Sequence, residues 1–429
     1  MLHPLLQTLF SGLDQAAIGW ALLYQPSRRD RLTNDLRLLV DRKHARRARQ
    51  ICEERGFVRV PGRTSWRGHQ FLAYDEATEE CIRLQLISRL SFGPYGCFTT
   101  RAAAEYLSRR QHHESLCTLA PNDGFWTLLF HCLLDRRTVE PNDREVLQRL
   151  AADARSEGHL ARIVDTLRPN GATAARLIED VRQADWTTLE QYASEFAAAW
   201  RRYDPRGTGR RLLVNRLASL GAMLVNLRRA HGLSITVLGP DGAGKSTVAK
   251  GIEARFCLPV KTVYMGLWQR RATAGRRQRL PGARLASLVM LVASRPFFIW
   301  SRYLTAQYHQ TLGRMVIFDR YIYDSLLPPR PPLAVVKRPI FWLLAHLCPP
   351  PDLVFLLDAP GRLMAERKAE YSEEHLERER QRFLSLRKQI PQLQVVDASR
   401  DLDSVRRDIL RRVWQGYTVR WTVTSGRRK

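Results

Sequence analysis

Gly239-Pro240-Asp241-Gly242-Ala243-Gly244-Lys245-Ser246, followed by Thr247, decides the architecture of the C-terminal half of this chain. Every fixed position of the pattern G-x-x-x-x-G-K-[ST] is filled. The chemistry demands these residue types. Glycines let the backbone curl until successive N–H groups converge on phosphate oxygens. The ammonium of Lys245 reaches the β- and γ-phosphates of a nucleotide, and the Ser246 hydroxyl suits Mg²⁺. Gly239, Asp241, Gly242, Ala243, Gly244, Lys245, Ser246 and Thr247 are therefore the candidate cofactor-binding residues, for ATP with Mg²⁺. An ordinary glycine-rich turn is the competing reading. The apolar run 234–238 before the loop reads as a strand and 247–256 reads as a helix, which is the arrangement a phosphate loop needs.

Outward from the loop, short apolar strands are predicted at 261–265, 315–318, 353–357 and 393–396, with helical stretches between them. This alternation predicts an α/β fold, a P-loop NTPase-type mostly parallel sheet with flanking helices. A phosphate loop also needs an acid to hold the metal's hydration shell. Asp319 follows the strand Met315-Val316-Ile317-Phe318, and carboxyl ends of such strands face the binding crevice. Ser246 and Asp319 are thus the candidate metal ligands. Arg320 beside them has a planar fork suited to phosphate. The blander reading of Asp319 is a helix cap.

The loop, Asp319-Arg320-Tyr321, Asp358 after a strand, and Arg367-Lys368-Ala369-Glu370 together resemble the thymidylate-kinase-like family over residues 230–415. The resemblance implies a kinase that transfers the γ-phosphoryl group of ATP. It implies that Lys245, Asp319, Arg320 and Arg367 are catalytic, with Arg367 closing over the phosphates from a lid. It further implies that Asp241, Arg320 and Tyr321 bind the acceptor. The family carries an Arg-Glu-Pro-type segment after its second strand, where this chain has Val263-Tyr264-Met265-Gly266-Leu267-Trp268. The acceptor is therefore expected to be a nucleoside monophosphate or a sugar or lipid-linked group. A non-kinase ATP switch, or a scaffold acting on a protein, membrane or nucleic acid, is the rival reading.

The rest of the chain reads as residues 1–100, an α+β domain, and 101–209, a helical connecting region ending in the Pro- and Gly-containing linker 203–209; the kinase-like domain takes 210–429. A strand is expected at 37–40, another at 81–86, and a basic helix at 42–55. Asn34-Asp35-Leu36-Arg37-Leu38-Leu39-Val40-Asp41 resembles the D-x-D strand of nucleotidyltransferase-fold proteins, with Arg37 in place of the second acid. Arg83 and Gln85 stand where a third acid would fall. A guanidinium repels Mg²⁺, so the resemblance implies a degenerate domain without metal catalysis.

Composition bounds the partners. The 429 residues carry a formal net charge of +27 with 45% apolar content, enough to build real cores. Such a surplus favours polyanions: nucleotides, nucleic acid, acidic glycans or an anionic membrane surface. No nucleic-acid-binding motif accompanies the charge, and a homodimer is left open. Seven cysteines without CxxC spacing predict reduced thiols. The N-terminus lacks a signal-peptide pattern, and 285–293 is too short to span a bilayer, so a cytoplasmic protein, at most peripheral to the membrane, is expected. The basic run 269–284 and the apolar stretch 285–304 read either as a membrane-surface element or as a loop and buried core helix, the second being preferred.

Overall fold

In the computed structural model, which describes residues 2–23, 35–60, 68–113, 116–229, 232–266, 283–327, 342, 346, 348–368 and 370–426, the chain divides into two units. One comprises 1–75 and 80–224, the other 76–79 and 225–429. The division falls inside the helix Pro205–Arg229 rather than at the expected linker 203–209, and local chemistry explains why. Pro205 opens that helix, where its missing N–H costs nothing. The Asp204 carboxylate accepts from the Gly207 N–H at 2.9 Å, and its carbonyl accepts from the Thr208 N–H at 3.0 Å. The Pro/Gly cluster is thus a tight corner between the helices Trp186–Tyr203 and Pro205–Arg229. The boundary expected at residue 100 is displaced for a different reason. Ala21, Leu39 and Phe92 share one buried core with Phe125, Leu147 and Phe196, so the α+β and helical regions are one packed body.

The N-terminal unit contains β1 (Trp20–Leu22), β2 (Asp35–Val40), β3 (Val58–Val60), β4 (His69–Asp75), β5 (Glu80–Ile87), β6 (Ser91–Phe92), β7 (Phe98–Thr99), β8 (Gln111–His113) and β9 (Leu116–Thr118). Seven of these form a mixed sheet in the order β3-β4-β5-β2-β1-β9-β8, and β6 pairs with β7 alone. Period two assigns its faces. Leu36, Leu38 and Val40 join a core with Phe10 and Trp20 of the N-terminal segment, whereas Leu39 points to the core shared with the helical region. Parallel pairing sets Asp35 opposite Arg83 and Arg37 opposite Gln85. The helix Ala45–Glu54, entered through a short turn at Arg42–His44, matches the expected basic helix. The hairpin β8–β9 lies in the stretch read as helical; its three-residue strands are too short to show a period.

The C-terminal unit contains β10 (Ser234–Leu238), β11 (Val260–Tyr264), β12 (Met315–Asp319), β13 (Leu353–Asp358) and β14 (Leu393–Asp397), each close to its expected position. All pair in parallel, in the order β11-β12-β10-β13-β14. Every residue of β10 is buried, as a central parallel strand covered on both faces requires. The sheet extends from β10 to earlier-joining strands on one side and later ones on the other. That topology opens a crevice at its carboxyl end.

The helix Ala283–Thr311 continues through Pro296. Ile299 and Ala306 are buried, but Phe297, Phe298, Trp300, Leu304 and Tyr308 are exposed, which corrects the expectation of a buried core helix. Residues 269–282 of the basic run and the proline cluster 328–332 lie outside the described residues. Among the described residues no helix is long and apolar enough to cross a membrane. Cys52, Cys97, Cys117, Cys132 and Cys348 are buried free thiols. Cys81 and Cys257 are not free, which corrects the expectation of an all-reduced set.

His69 opens β4, and its Nε2 lies 3.2 Å from Nη1 of Arg49. Burial, then the charges of Arg59 and Arg49, lower its pKa from 6.5 to about 4. Between those values the unfolded chain binds a proton that the folded chain refuses. Stability is therefore complete above about pH 6.5 and falls as pH drops toward 4. Urea midpoints of the full chain should decline from pH 7 to pH 4.5, with a shallower decline in His69→Gln.

Candidate active site

The turn after β10 is shaped by two glycines in left-handed backbone. Gly242 has φ 86° and Gly244 has φ 93°, conformations in which a side chain is strained. A Cβ on Gly242 would stand 2.6 Å from the carbonyl oxygen of Met364, so the loop is pressed against the neighbouring helix Gly361–Arg367. A Cβ on Gly244 would meet nothing within 4 Å, because that side of the loop opens into a cavity. The helix Lys245–Arg255 starts there without a side-chain cap. Its first-turn N–H groups and the positive end of its dipole therefore remain available to an anion.

The cavity, about 580 Å³, is lined by the loop from Asp241 to Val248, by Asp319 and Arg320 after β12, and by Arg367, Lys368, Ala398 and Arg400. Five cationic side chains face two carboxylates in this lining, an imbalance that selects a polyanion. Lys245 Nζ donates to the carbonyl oxygens of Gly239 and Pro240 at 2.8 and 2.7 Å, which curls its ammonium back over the loop. Asp241 lies between two cations. Its Oδ1 is 3.2 Å from Arg320 Nη2 and 3.6 Å from Lys245 Nζ. Arg320 itself has φ 56°, a left-handed conformation for a bulky residue. That turn sends the chain sharply away from the end of β12 and leaves the guanidinium over the loop. Ser246 and Asp319 are both exposed to this cavity, a hydroxyl and a carboxylate of the hard-oxygen type that Mg²⁺ prefers.

Arg367, the last residue of the helix Gly361–Arg367, reaches the cavity and donates to the carbonyl oxygen of Ala398 at 3.1 Å. The segment that follows is anchored to the sheet. Ser372 caps the helix Glu373–Ser385, and Arg380 on that helix forks onto Asp358 at the end of β13 with distances of 2.6 and 3.0 Å. This charge-assisted pair raises the Arg380 pKa further, chiefly through its hydrogen bond to Asp358. Glu377 accepts from the Gly361 N–H at 3.0 Å, tying the two helices together.

The structure thus gathers Gly242, Ala243, Gly244, Lys245, Ser246, Thr247, Asp241, Asp319, Arg320 and Arg367 around one cavity. Gly239 sits one step behind, buried, shaping the loop's entry. Tyr321 is not in that lining. It is fully buried, its ring lies tilted 5.0 Å from that of Phe318, and its hydroxyl donates to the Pro349 carbonyl at 2.6 Å. Its burial raises the phenol pKa, so the side chain is a core hydrogen-bond donor holding the Asp319–Arg320 turn in place. Arg400 was missed from the sequence. It follows Asp397, the terminal residue of β14, so the carboxyl-end rule that found Asp319 would have found it too. Asp408 holds it through a 3.3 Å ion pair. A Gly242→Ala variant should lose nucleotide affinity by roughly tenfold or more, because a strained φ costs about 1–3 kcal/mol and the Cβ displaces the loop. Titration calorimetry against an adenine nucleotide checks it.

The thymidylate kinase family profile matches residues 237–409. A probable thymidylate kinase of Thermococcus gammatolerans is 30% identical over 203 residues, 42% of this chain and 94% of that protein. The thymidylate kinase of Xanthomonas campestris pv. campestris strain B100 is 32% identical over 196 residues, 41% of this chain and 80% of that protein. The structure of deoxyadenosine kinase from M. mycoides with bound dATP aligns with 19% identity and a TM-score of 0.28, over 42% of this chain and 98% of that one. The phosphate loop, the Asp-Arg turn and relatives matched over most of their own length converge: through the P-loop kinase domain in its C-terminal half, the chain belongs to the thymidylate kinase family and is a nucleotide kinase.

Proposed function

We propose that the C-terminal unit transfers the γ-phosphoryl group of ATP, with Mg²⁺, to a phosphate-bearing acceptor of the nucleoside monophosphate type. One observation carries this reading. Arg320 is held over the loop beside Lys245, both against Asp241, so a cation suited to an acceptor phosphate sits next to the cation for the donor phosphates. A hydroxyl-only acceptor would give the Arg320 fork nothing to bind. The catalytic problem is positioning and charge neutralisation, since phosphoryl transfer asks for little covalent help from the protein. The N–H groups of the loop and of the first turn of helix Lys245–Arg255 would cradle the donor phosphates. Lys245 would exchange its two carbonyl contacts for phosphate oxygens. Arg367 would add positive charge from the side of Ala398. Ser246 and Asp319 would hold Mg²⁺, which would supply Lewis-acid neutralisation of the charge on the transferring phosphoryl group. Asp241 then has two tasks: orienting Arg320 and accepting from a hydroxyl of the acceptor.

The N-terminal unit carries its own reading as a nucleotidyltransferase-like module that does no metal chemistry. What supports it is the register that places Asp35 and Arg37 on β2 beside Arg83 and Gln85 on β5. Full-length protein carrying Lys245→Ala is expected to incorporate no labelled nucleotide into any acceptor with Mg²⁺ or Mn²⁺.

ADP release from ATP and Mg²⁺, measured against a panel of nucleoside monophosphates and of sugars, tests the kinase reading. Stimulation should come from a monophosphate and should fall by about a hundredfold or more in Lys245→Ala, the cost of removing one positioned charge stabiliser. Arg320→Ala should weaken the acceptor KM more than the ATP KM. Stimulation by a neutral sugar instead would overturn the phosphate-bearing acceptor, and turnover indifferent to every acceptor would favour a nucleotide switch.

A further inference from the structure

The helix Ala283–Thr311 has an outward face that phosphoryl transfer at the loop does not use. At about 100° per residue, Phe297, Trp300, Leu304 and Tyr308 fall within an arc of about 80°. All four are exposed, Phe297 at 73% and Leu304 at 57%. The opposite side is the one that packs. Ile299, Ala306 and Gln310 are buried there, and Tyr303 lies against the core that includes Val316 and Phe318. The exposed stripe runs for about 16 Å along the helix, which is roughly three turns of apolar surface facing water.

Its borders suit a dry neighbour. Ser301 and Thr305 flank the stripe, and their hydroxyls donate back along the helix to the carbonyls of Phe298 and Ser301, both at 2.9 Å. Neither side chain needs water to complete its donor. Arg302 is the one arginine between 296 and 311, and it turns away from the stripe. Its Nη1 donates to the Gly266 carbonyl at 3.2 Å, and its guanidinium lies 5.3 Å from the centre of the Tyr264 ring. The stripe thus carries no charge of its own, yet it sits in a one-sided stretch of the sequence. Between Glu253 and Asp319 stand eleven lysines and arginines and not one acid.

We propose that this face docks the protein on an anionic lipid surface. The aromatic stripe enters the boundary between headgroups and acyl chains, and the cations of the same stretch of chain draw it to the charged headgroups. Trp300 and Tyr308 suit that boundary because each joins a large apolar ring to a polar tip. Phe297 and Leu304 add apolar area that gains by leaving water. Charge selects this occupant over the others. A second copy paired about a two-fold axis would lay the same acid-free stretch on itself, a like-charge contact with nothing to offset it. Single-stranded nucleic acid needs cations interleaved with the stacking rings, and the stripe has none. A bilayer asks for an uncharged face with cations near it in the chain. The attachment is to the surface alone, since among the described residues no helix is long and apolar enough to cross.

The full-length protein is floated with vesicles of phosphatidylcholine alone or mixed with phosphatidylglycerol, at low and high salt, beside a Phe297→Ser/Trp300→Ser variant. The parent is expected to float with the anionic vesicles, to stay behind with the neutral ones, and to come off as salt screens the headgroups. The variant should bind roughly tenfold or more weakly, the loss of two buried rings. Both positions are exposed, so its thermal midpoint and its kinase turnover should match those of the parent. Lipids brominated on their acyl chains give a second reading that needs no loss of binding. They should quench the tryptophan fluorescence of the bound parent, and quench it less in Trp300→Phe. No flotation at low salt, equal flotation with neutral vesicles, bound protein left unquenched, or unchanged binding in the double variant would each overturn the proposal. So would a parent dimer that the same variant dissociates, or RNA binding that it abolishes, since each names another occupant of this face.

Discussion

Hydrogen bonding of β10 on both sides is the constraint from which the kinase site follows. Ser234 to Leu238 are wholly buried, with β12 on one edge and β13 on the other in parallel register. Parallel pairing puts all the carboxyl ends at one side of the sheet, so Gly239 after β10 and Asp319 at the end of β12 emerge together. Thr236 strengthens the join, its hydroxyl donating to the Phe318 carbonyl inside the sheet. Ser234 does so at the other end, where its N–H and hydroxyl both reach Asp352 at 2.7 Å. With the strand fixed at both ends, the loop has little freedom except the left-handed turns its glycines allow.

Electrostatics then arrange the side chains. A lining rich in cations would repel itself in the absence of a ligand, and the pairings in the structure relieve that repulsion. Asp241 sits between Lys245 and Arg320, Lys368 pairs with Glu370 at 3.0 Å, and Asp408 collects Arg400, Arg411 and Arg412. The Asp241 and Lys368 contacts are partly exposed and individually weak, so an anion can replace them at small cost. The Asp358–Arg380 fork is more sheltered and holds the helix Glu373–Ser385 to the end of β13.

Much of the kinase domain was legible before the structure because its signals are local. Buried parallel strands appear as short apolar runs, and the phosphate loop demands particular residues at contiguous positions. The N-terminal unit was harder for an equally physical reason. Its helical region and its sheet share one core, so no change in composition marks the boundary expected at residue 100. The cluster 203–209 reads as a linker because proline and glycine usually break helices, yet Pro205 stands at the one helical position that welcomes it.

The sequence alone determined the phosphate loop, its lysine and hydroxyl, the acid ending the third strand of the domain, and the family they belong to. These rest on residue types at fixed spacing, and spacing survives in one dimension. Only the tertiary structure decided that Tyr321 is buried with its hydroxyl on the Pro349 carbonyl, since burial cannot be read from a motif. It alone brought Arg400 to the nucleotide cavity from a strand end far along the chain. It also turned Phe297, Trp300, Leu304 and Tyr308 to solvent while Ile299 and Ala306 went inward, because a helix with apolar residues on both faces leaves the choice of inner face to packing.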